Sequence, residues 1–167
     1  MPQNIESKLR KIPSEYVVFD LETTGVFWEY DDIIEIAAIK VKDDNIIDEF
    51  QTLVNPQKLI PAKATQKNHI TNDMVADAPI IDDVINEFFD FIGDMPLVGH
   101  NIGTFDLKFI AKFKNITNDY IDTLPIAKKC LGFLPNRKLE GICEYYNVPN
   151  INAHRALSDC MVTNEIL

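Results

Sequence analysis

With 167 residues, 46% of them hydrophobic and 25% charged, the chain can bury a full core as one domain without disulfide or metal staples. No apolar run approaches the roughly 20 residues that cross a bilayer, which excludes a membrane-spanning helix. A formal net charge of −10 excludes nucleic-acid binding by blanket phosphate neutralisation; any such contact must be local, cation-assisted or helped by a partner.

Residues 1–14 read as a polar lead-in of mixed charge, with no apolar segment typical of a secretory signal. Tyr16 to Phe19 form a β-branched and aromatic run that predicts a buried strand, continued by Asp20-Leu21-Glu22-Thr23-Thr24-Gly25. Side chains two apart share a strand face, so Asp20 and Glu22 project together from its carboxyl end. Thr24-Gly25 makes the turn that leaves the strand. Phe27-Trp28-Glu29-Tyr30-Asp31 reads as a loop with exposed aromatics. Ile33 to Val41 and Ile46 to Val54 are the next two strands, and Lys42-Asp43-Asp44-Asn45 has hairpin chemistry between them, completing an antiparallel meander.

Asn55-Pro56 and Ile60-Pro61 then break the pattern. A short helical piece is expected over Ala64 to Asn68, and Thr71 is placed to cap another short turn. Ile81, Val84, Ile85, Phe88, Phe89 and Ile92 recur at three and four residues, predicting an amphipathic helix that stops at Gly93. A short strand follows at Pro96 to Gly99, a helix at Thr104 to Phe113, a last strand at Tyr120 to Asp122, and helices at about 123–131, 138–146 and 155–167. Strands alternating with helices imply parallel neighbours joined by crossovers. The architecture is therefore α/β: a mixed five-stranded sheet, antiparallel meander first and parallel strands after, flanked by helices. The last helix shows no stop signal at Leu167, as in a domain cut from a longer chain. Three cysteines (Cys130, Cys143, Cys160) without Cys-x-x-Cys spacing read as reduced thiols in a cytoplasmic protein.

The chemistry gathers at acids placed where elements begin or end. Two carboxylates as close as Asp20 and Glu22 repel, and a divalent cation with oxygen ligands relieves that repulsion. Asp106 lies in the first turn of a helix that Thr104 is placed to cap, just after Gly99-His100-Asn101; the helix dipole alone also favours an acid there. Asp159 falls on the second turn of the last helix, with Asn152 placed as its cap. His154 lies five residues earlier, a spacing that puts it on the loop or first turn if both reach one site. Singly, each acid has a plain structural explanation. Together, four acids and a His fit metal-assisted phosphodiester hydrolysis, in which two divalent ions hold the attacking and leaving oxygens and the His takes a proton from water.

Asp20-Leu21-Glu22-Thr23-Thr24-Gly25, His100-Asn101-x-x-x-Phe105-Asp106 and His154-Arg155-Ala156-x-x-Asp159 resemble the three exonuclease motifs of the DEDD superfamily. The His five residues before the last Asp resembles its histidine-containing (DEDDh) subgroup. Asn55-Pro56, Ile60-Pro61, His69-Ile70-Thr71 and Ile121-Asp122-Thr123 extend the likeness over residues 15–167. It is strongest to the proofreading exonucleases of bacterial DNA polymerase III, of epsilon-subunit or PolC type. The resemblance implies a ribonuclease H-like fold. It implies Asp20, Glu22, Asp106 and Asp159 as ligands of two Mg²⁺ or Mn²⁺ ions and His154 as general base. It also places Thr23 and Thr24 against the terminal nucleotide, Asn101 and Phe105 near the scissile end, and Ile70 as an apolar wedge between bases. Asp122 reads as a cap or supporting residue.

The expected activity is 3′→5′ hydrolysis of single-stranded or frayed DNA ends, releasing nucleoside monophosphates in proofreading or repair. RNA trimming by the same motifs is the alternative, and a binding module that has lost catalysis is a third reading that the retained ligand set speaks against. DNA 3′ ends and a polymerase subunit or domain are the expected partners. With few basic clusters beyond Lys63–Lys67 and Arg137-Lys138, action on DNA should be weak and distributive, or depend on recruitment by a polymerase.

Overall fold

The computed structural model describes residues 12–167, so the expected lead-in lies almost wholly outside the described residues. Strand β1 (Glu15–Thr23) is the spine of a five-stranded sheet ordered β3-β2-β1-β4-β5. β2 (Ile33–Lys42) and β3 (Asn45–Leu53) complete the antiparallel meander. Their turn puts Asp43 and Asp44 at φ 48° and 63°, the left-handed pair that a two-residue hairpin matched to strand twist requires. β4 (Leu97–Gly99) and β5 (Tyr120–Asp122) run parallel on the other side of β1.

Alternation along β1 divides the core. Val17, Phe19 and Leu21 enter a cluster with Phe88 and Ile92 of helix α3 (Ile81–Ile92) and with Phe109 and Ile110 of α4 (Asp106–Ala111). Tyr16 and Val18 meet Ala156 and Cys160 of the last helix, α7 (Ala156–Ile166), on the opposite face. Phe19 and Phe88, both without exposure, set their ring centroids 5.6 Å apart. Burying each ring fully contributes about 1.5–3 kcal/mol. Since Asp20 and Glu22 continue the even-numbered series, they fall on the face that α7 covers. Where that series leaves the core, the carboxylates begin.

The connecting helices follow the breaks in the sequence. α1 (Ala62–Asn68) ends on His69 at φ 61°, and α2 (Asn72–Val75) is capped by the Thr71 hydroxyl, which accepts from Met74 N. α3 stops at Gly93, at φ 51°. α5 (Thr123–Cys130) and α6 (Leu139–Tyr146) lead to α7. Two expected caps fail. α4 begins at Asp106, so its cap position falls on Phe105 and not on Thr104, whose hydroxyl donates to Asn101 Oδ1 at 2.6 Å instead. α7 begins at Ala156 rather than near Asn152, which places Asp159 in its first turn rather than its second. Among the described residues no helix is long and apolar enough to cross a membrane.

Candidate active site

A cleft of about 910 Å³ opens at the carboxyl ends of β1 and β4, where parallel strands of an α/β sheet leave a crevice. Asp20 and Glu22 descend from β1, and Asp159 comes across from the first turn of α7. One carboxylate oxygen from each of the three lies within 4.8 Å of the others. Asp106 enters from the start of α4, and its Oδ1 accepts the backbone N–H of Leu21, midway between the two β1 acids, at 3.1 Å. Chain segments separated by more than 130 residues thus bring four carboxylates to one strand end.

The electrostatics are those of a site built for a cation. Burial, and then repulsion from Asp106, Glu22 and Asp159, pushes Asp20 well above the ordinary carboxylate range. Burial and repulsion from Asp159 raise Glu22 to about 8, and burial raises Asp106 to about 7. Asp159 is raised as well, again chiefly by burial. Like charges this close do not all ionise unless something positive shares the space. The donor set is all oxygen, which suits hard divalent ions, and the acids fit such an ion.

Asp159 is braced from two sides. Asp159 Oδ1 accepts from the Asn150 amide at 2.8 Å, and its Oδ2 accepts from the backbone N–H of His154 at 3.2 Å. His154 sits one residue ahead of the helix cap at φ 64°, the left-handed region that non-glycine residues seldom occupy. Its Nε2 lies 2.6 Å from Glu140 Oε1 at the start of α6. A carboxylate only accepts, so in that pair the ring proton sits on Nε2 and, in the neutral ring, Nδ1 is the open acceptor. Asp122 caps α5 through Leu124 N, and its two oxygens also hold the N–H groups of Asn101 and Gly103 at 2.8 and 3.0 Å. That grip shapes the loop ahead of Asp106, and the supporting place expected of Asp122 is where it stands.

Of the residues singled out in the sequence, Asp20, Glu22, Thr23, Thr24, Asn101, Phe105, Asp106, His154 and Asp159 all line this cleft. Ile70 does not. It has no exposed surface and packs with Ile34, Ile60 and Val75, so it cannot wedge between bases. The basic residues noted in sequence converge as well: Lys63 and Lys67 from α1, Arg137 and Lys138 ahead of α6, joined by Lys128 of α5. The chain is acidic overall, but its cleft carries a cationic rim.

Four supporting residues escaped the sequence reading. Glu35 is fully buried on β2, opposite Glu22, and binds Arg155. An acid inside Ile33-Ile34-Glu35-Ile36-Ala37-Ala38 was the available signal, since a charge in a two-faced buried strand requires a partner. Asn150 and Glu140 had no such signal, because only the fold brings them to Asp159 and His154. Asn68, also buried, accepts from Ile70 N beside the cleft.

The family model described as Exonuclease (RNase_T) matches residues 17–167. The chain belongs to this exonuclease family. It is 42% identical over 158 residues to the PolC-type DNA polymerase III of Clostridium perfringens, covering 92% of this chain and 11% of that protein. It is 38% identical over 159 residues to the PolC-type enzyme of Bacillus subtilis, covering 91% of this chain and again 11% of that protein. The chain therefore spans about a tenth of the length of the curated relatives it matches. Among solved structures, E. coli exonuclease I in complex with a dA16 oligonucleotide superposes with a TM-score of 0.82 over 92% of this chain and 40% of that one, at 19% identity, a likeness of fold. Exonuclease X in complex with 5′ overhanging duplex DNA superposes with a TM-score of 0.75 at 28% identity, covering 90% of this chain and 87% of that one. The exonuclease thus has the ribonuclease H-like fold expected of it, and its acidic cluster fits the divalent-metal dependence of the family.

Proposed function

We propose that this exonuclease removes nucleotides from the 3′ end of single-stranded or frayed DNA, in the cytoplasm and in the service of a replicative polymerase. The observation that carries the reading is the meeting of Asp20, Glu22 and Asp159 within 4.8 Å, with Asp106 bonded to the backbone between the first two. Residues 15–167 form the catalytic domain. Its relatives' polymerase context and the oligonucleotides bound by exonucleases I and X support DNA as substrate.

Asp20, Glu22, Asp106 and Asp159 would hold two Mg²⁺ or Mn²⁺ ions. Bound there, such ions would supply the charge that lowers the pKa of a nearby water and offsets the negative charge developing in phosphodiester displacement. The chain's own groups do the rest. His154, its Nε2 fixed by Glu140, takes the water proton at Nδ1. Thr23 and Thr24, buried at the end of β1, floor the terminal nucleotide, and Asn101 and Phe105 flank the scissile end. Lys63, Lys67, Lys128, Arg137 and Lys138 receive the phosphates that the net charge would otherwise repel.

Digestion of 5′-labelled and 3′-labelled oligonucleotides, as DNA and as RNA of the same sequence, tests this. Shortening ladders from 5′-labelled DNA and immediate release of labelled mononucleotide from 3′-labelled DNA are expected. Preference for the RNA set would reassign the substrate to RNA trimming, and inert protein that binds Mn²⁺ would reduce it to a binding module.

A further inference from the structure

The proposed reaction gives His100 no task. The residue stands one position past the end of β4, and it lines the cleft. Both ring nitrogens are engaged, by parts of the chain far from it in sequence. Nε2 lies 2.9 Å from the Arg137 carbonyl, and Nδ1 lies 2.8 Å from the hydroxyl of Thr123, the first residue of α5. A carbonyl only accepts, so the ring proton sits on Nε2. In the neutral ring Nδ1 is then the acceptor, and the Thr123 hydroxyl donates to it. Burial pushes the His100 pKa below the usual imidazole range, which keeps the ring neutral near pH 7 and suits one donor and one acceptor.

What the contact holds is the connection between α5 and α6, residues 131–138, which lies outside any helix or strand. Its other hydrogen bonds run to neighbours along the chain. The Leu134 N–H donates to the Leu131 carbonyl, the Arg137 guanidinium to the Leu134 carbonyl, and the Lys138 N–H to Asn136 Oδ1. Among the described residues, His100 alone ties this connection to the sheet by a hydrogen bond. α6 itself begins with no side-chain cap. Its first turn nevertheless carries Glu140, which must meet His154 at 2.6 Å. Resting on the proposed nuclease function, we infer that His100 is a positioning residue for the reaction. By holding the Arg137 carbonyl to the end of β4 it sets where α6 starts, and through Glu140 it sets the ring of His154. The same contact places Arg137 and Lys138 on the cationic rim of the cleft.

The test compares wild type with His100→Ala, His100→Asn and His100→Gln, each below its unfolding midpoint, on a single-stranded oligonucleotide with Mg²⁺. Gln carries an amide N–H at the reach of Nε2, whereas Asn carries one only at the reach of Nδ1. His100→Ala and His100→Asn should lower kcat about 10-fold, the loss of an orienting group, and His100→Gln should restore most of it. A further arm adds Glu140→Ala. In that background His100→Ala should take no further kcat, because both changes act through His154. Losses that multiply in the double variant, or an unchanged kcat in His100→Ala, overturn the route through α6. A turnover-free readout uses the three histidines of the chain. In chelator, the imidazole ¹⁵N spectrum of wild type should show the His100 proton on Nε2. The His154 resonances should shift in His100→Ala and hold in His100→Gln. A His100 proton on Nδ1, or His154 resonances indifferent to His100→Ala, overturns the positioning role whatever the activity. Wild type that cuts neither DNA nor RNA overturns the nuclease reading, and the spectra still decide the contact.

Discussion

Arg155, at the cap of α7, reaches back to β2 and closes a two-pronged pair on Glu35, its Nε 3.1 Å from Oε2 and its Nη2 2.7 Å from Oε1. The same carboxylate accepts from Ala156 N at 3.1 Å and from the Gln51 amide at 3.0 Å, so all its lone-pair directions are used. Glu35 faces Glu22 across the β1–β2 ladder, and Arg155 lies between His154 and Asp159 in sequence. The pair therefore ties the strand that supplies two acids to the helix that supplies another. Removing one partner of a buried pair strands the other, at a cost of about 3–5 kcal/mol. Arg155→Met should lose that much in urea unfolding, and Arg155→Lys, which keeps the charge but not the fork, should lose less. A loss below about 1 kcal/mol for Arg155→Met would make the pair a bystander.

The carboxylate cluster dictates how stability responds to pH. Glu22 at about 8 and Asp106 at about 7 are raised above their unfolded values, by burial first. A carboxyl with a raised folded pKa holds its proton more tightly when folded. Its contribution is complete below the unfolded value near 4 and is lost as pH rises through 7 to 8. In chelator, the unfolding midpoint should fall between about pH 5 and pH 8. Mn²⁺ at 100 times its dissociation constant should restore about 2.7 kcal/mol at pH 8, with protons released on binding. A chelated midpoint that rises over that window would contradict the electrostatic account of the site.

Glu140 is half-exposed, yet it holds the Nε2 of His154. On the proposed mechanism it orients the base and touches neither substrate nor metal. Glu140→Ala should lower kcat about 10-fold, as loss of an orienting partner does, with KM and the unfolding midpoint unmoved. His154→Ala should cost about 10²–10⁴-fold. Equal kcat in Glu140→Ala and wild type would show that the contact does not serve catalysis.

Asp122 offers a different contrast. Its carboxylate satisfies three backbone N–H groups at the loop before α4 and at the start of α5. Asp122→Ala leaves those donors without their acceptor, at about 1–3 kcal/mol each where water cannot replace it. Thermal unfolding should report a destabilisation of about 2–4 kcal/mol, and Asp106, displaced with its loop, should bring kcat down as well. Full activity in a destabilised Asp122→Ala protein would separate the loop from the chemistry.

Much of this was legible in the chain. The apolar run at Tyr16–Phe19, the hairpin at Asp43-Asp44 and the stripe from Ile81 to Ile92 are local patterns, and each became the element its period announces. Asp20, Glu22, Asp106, His154 and Asp159 were legible as motifs and do line one cleft. What stayed hidden depends on tertiary partners. Thr104 and Asn152 have the chemistry of caps, but Thr104 bonds Asn101 and α7 starts four residues after Asn152. Ile70 is apolar in a motif, and the sequence does not tell a base wedge from a core residue; zero exposure does. Asn150 and Glu140 are ordinary polar residues until folding sets them against Asp159 and His154.

The central claim is that the acids at the end of β1 form a metal-dependent catalytic centre for trimming 3′ ends. Its most direct test is initial-rate digestion of a 5′-labelled single-stranded oligonucleotide by wild type and Asp20→Ala, each with Mg²⁺, with Mn²⁺ and with chelator. The account predicts a short-stepped, distributive ladder from wild type in either metal, none in chelator, and none from a folded Asp20→Ala protein. Digestion that persists in chelator or in Asp20→Ala would contradict it.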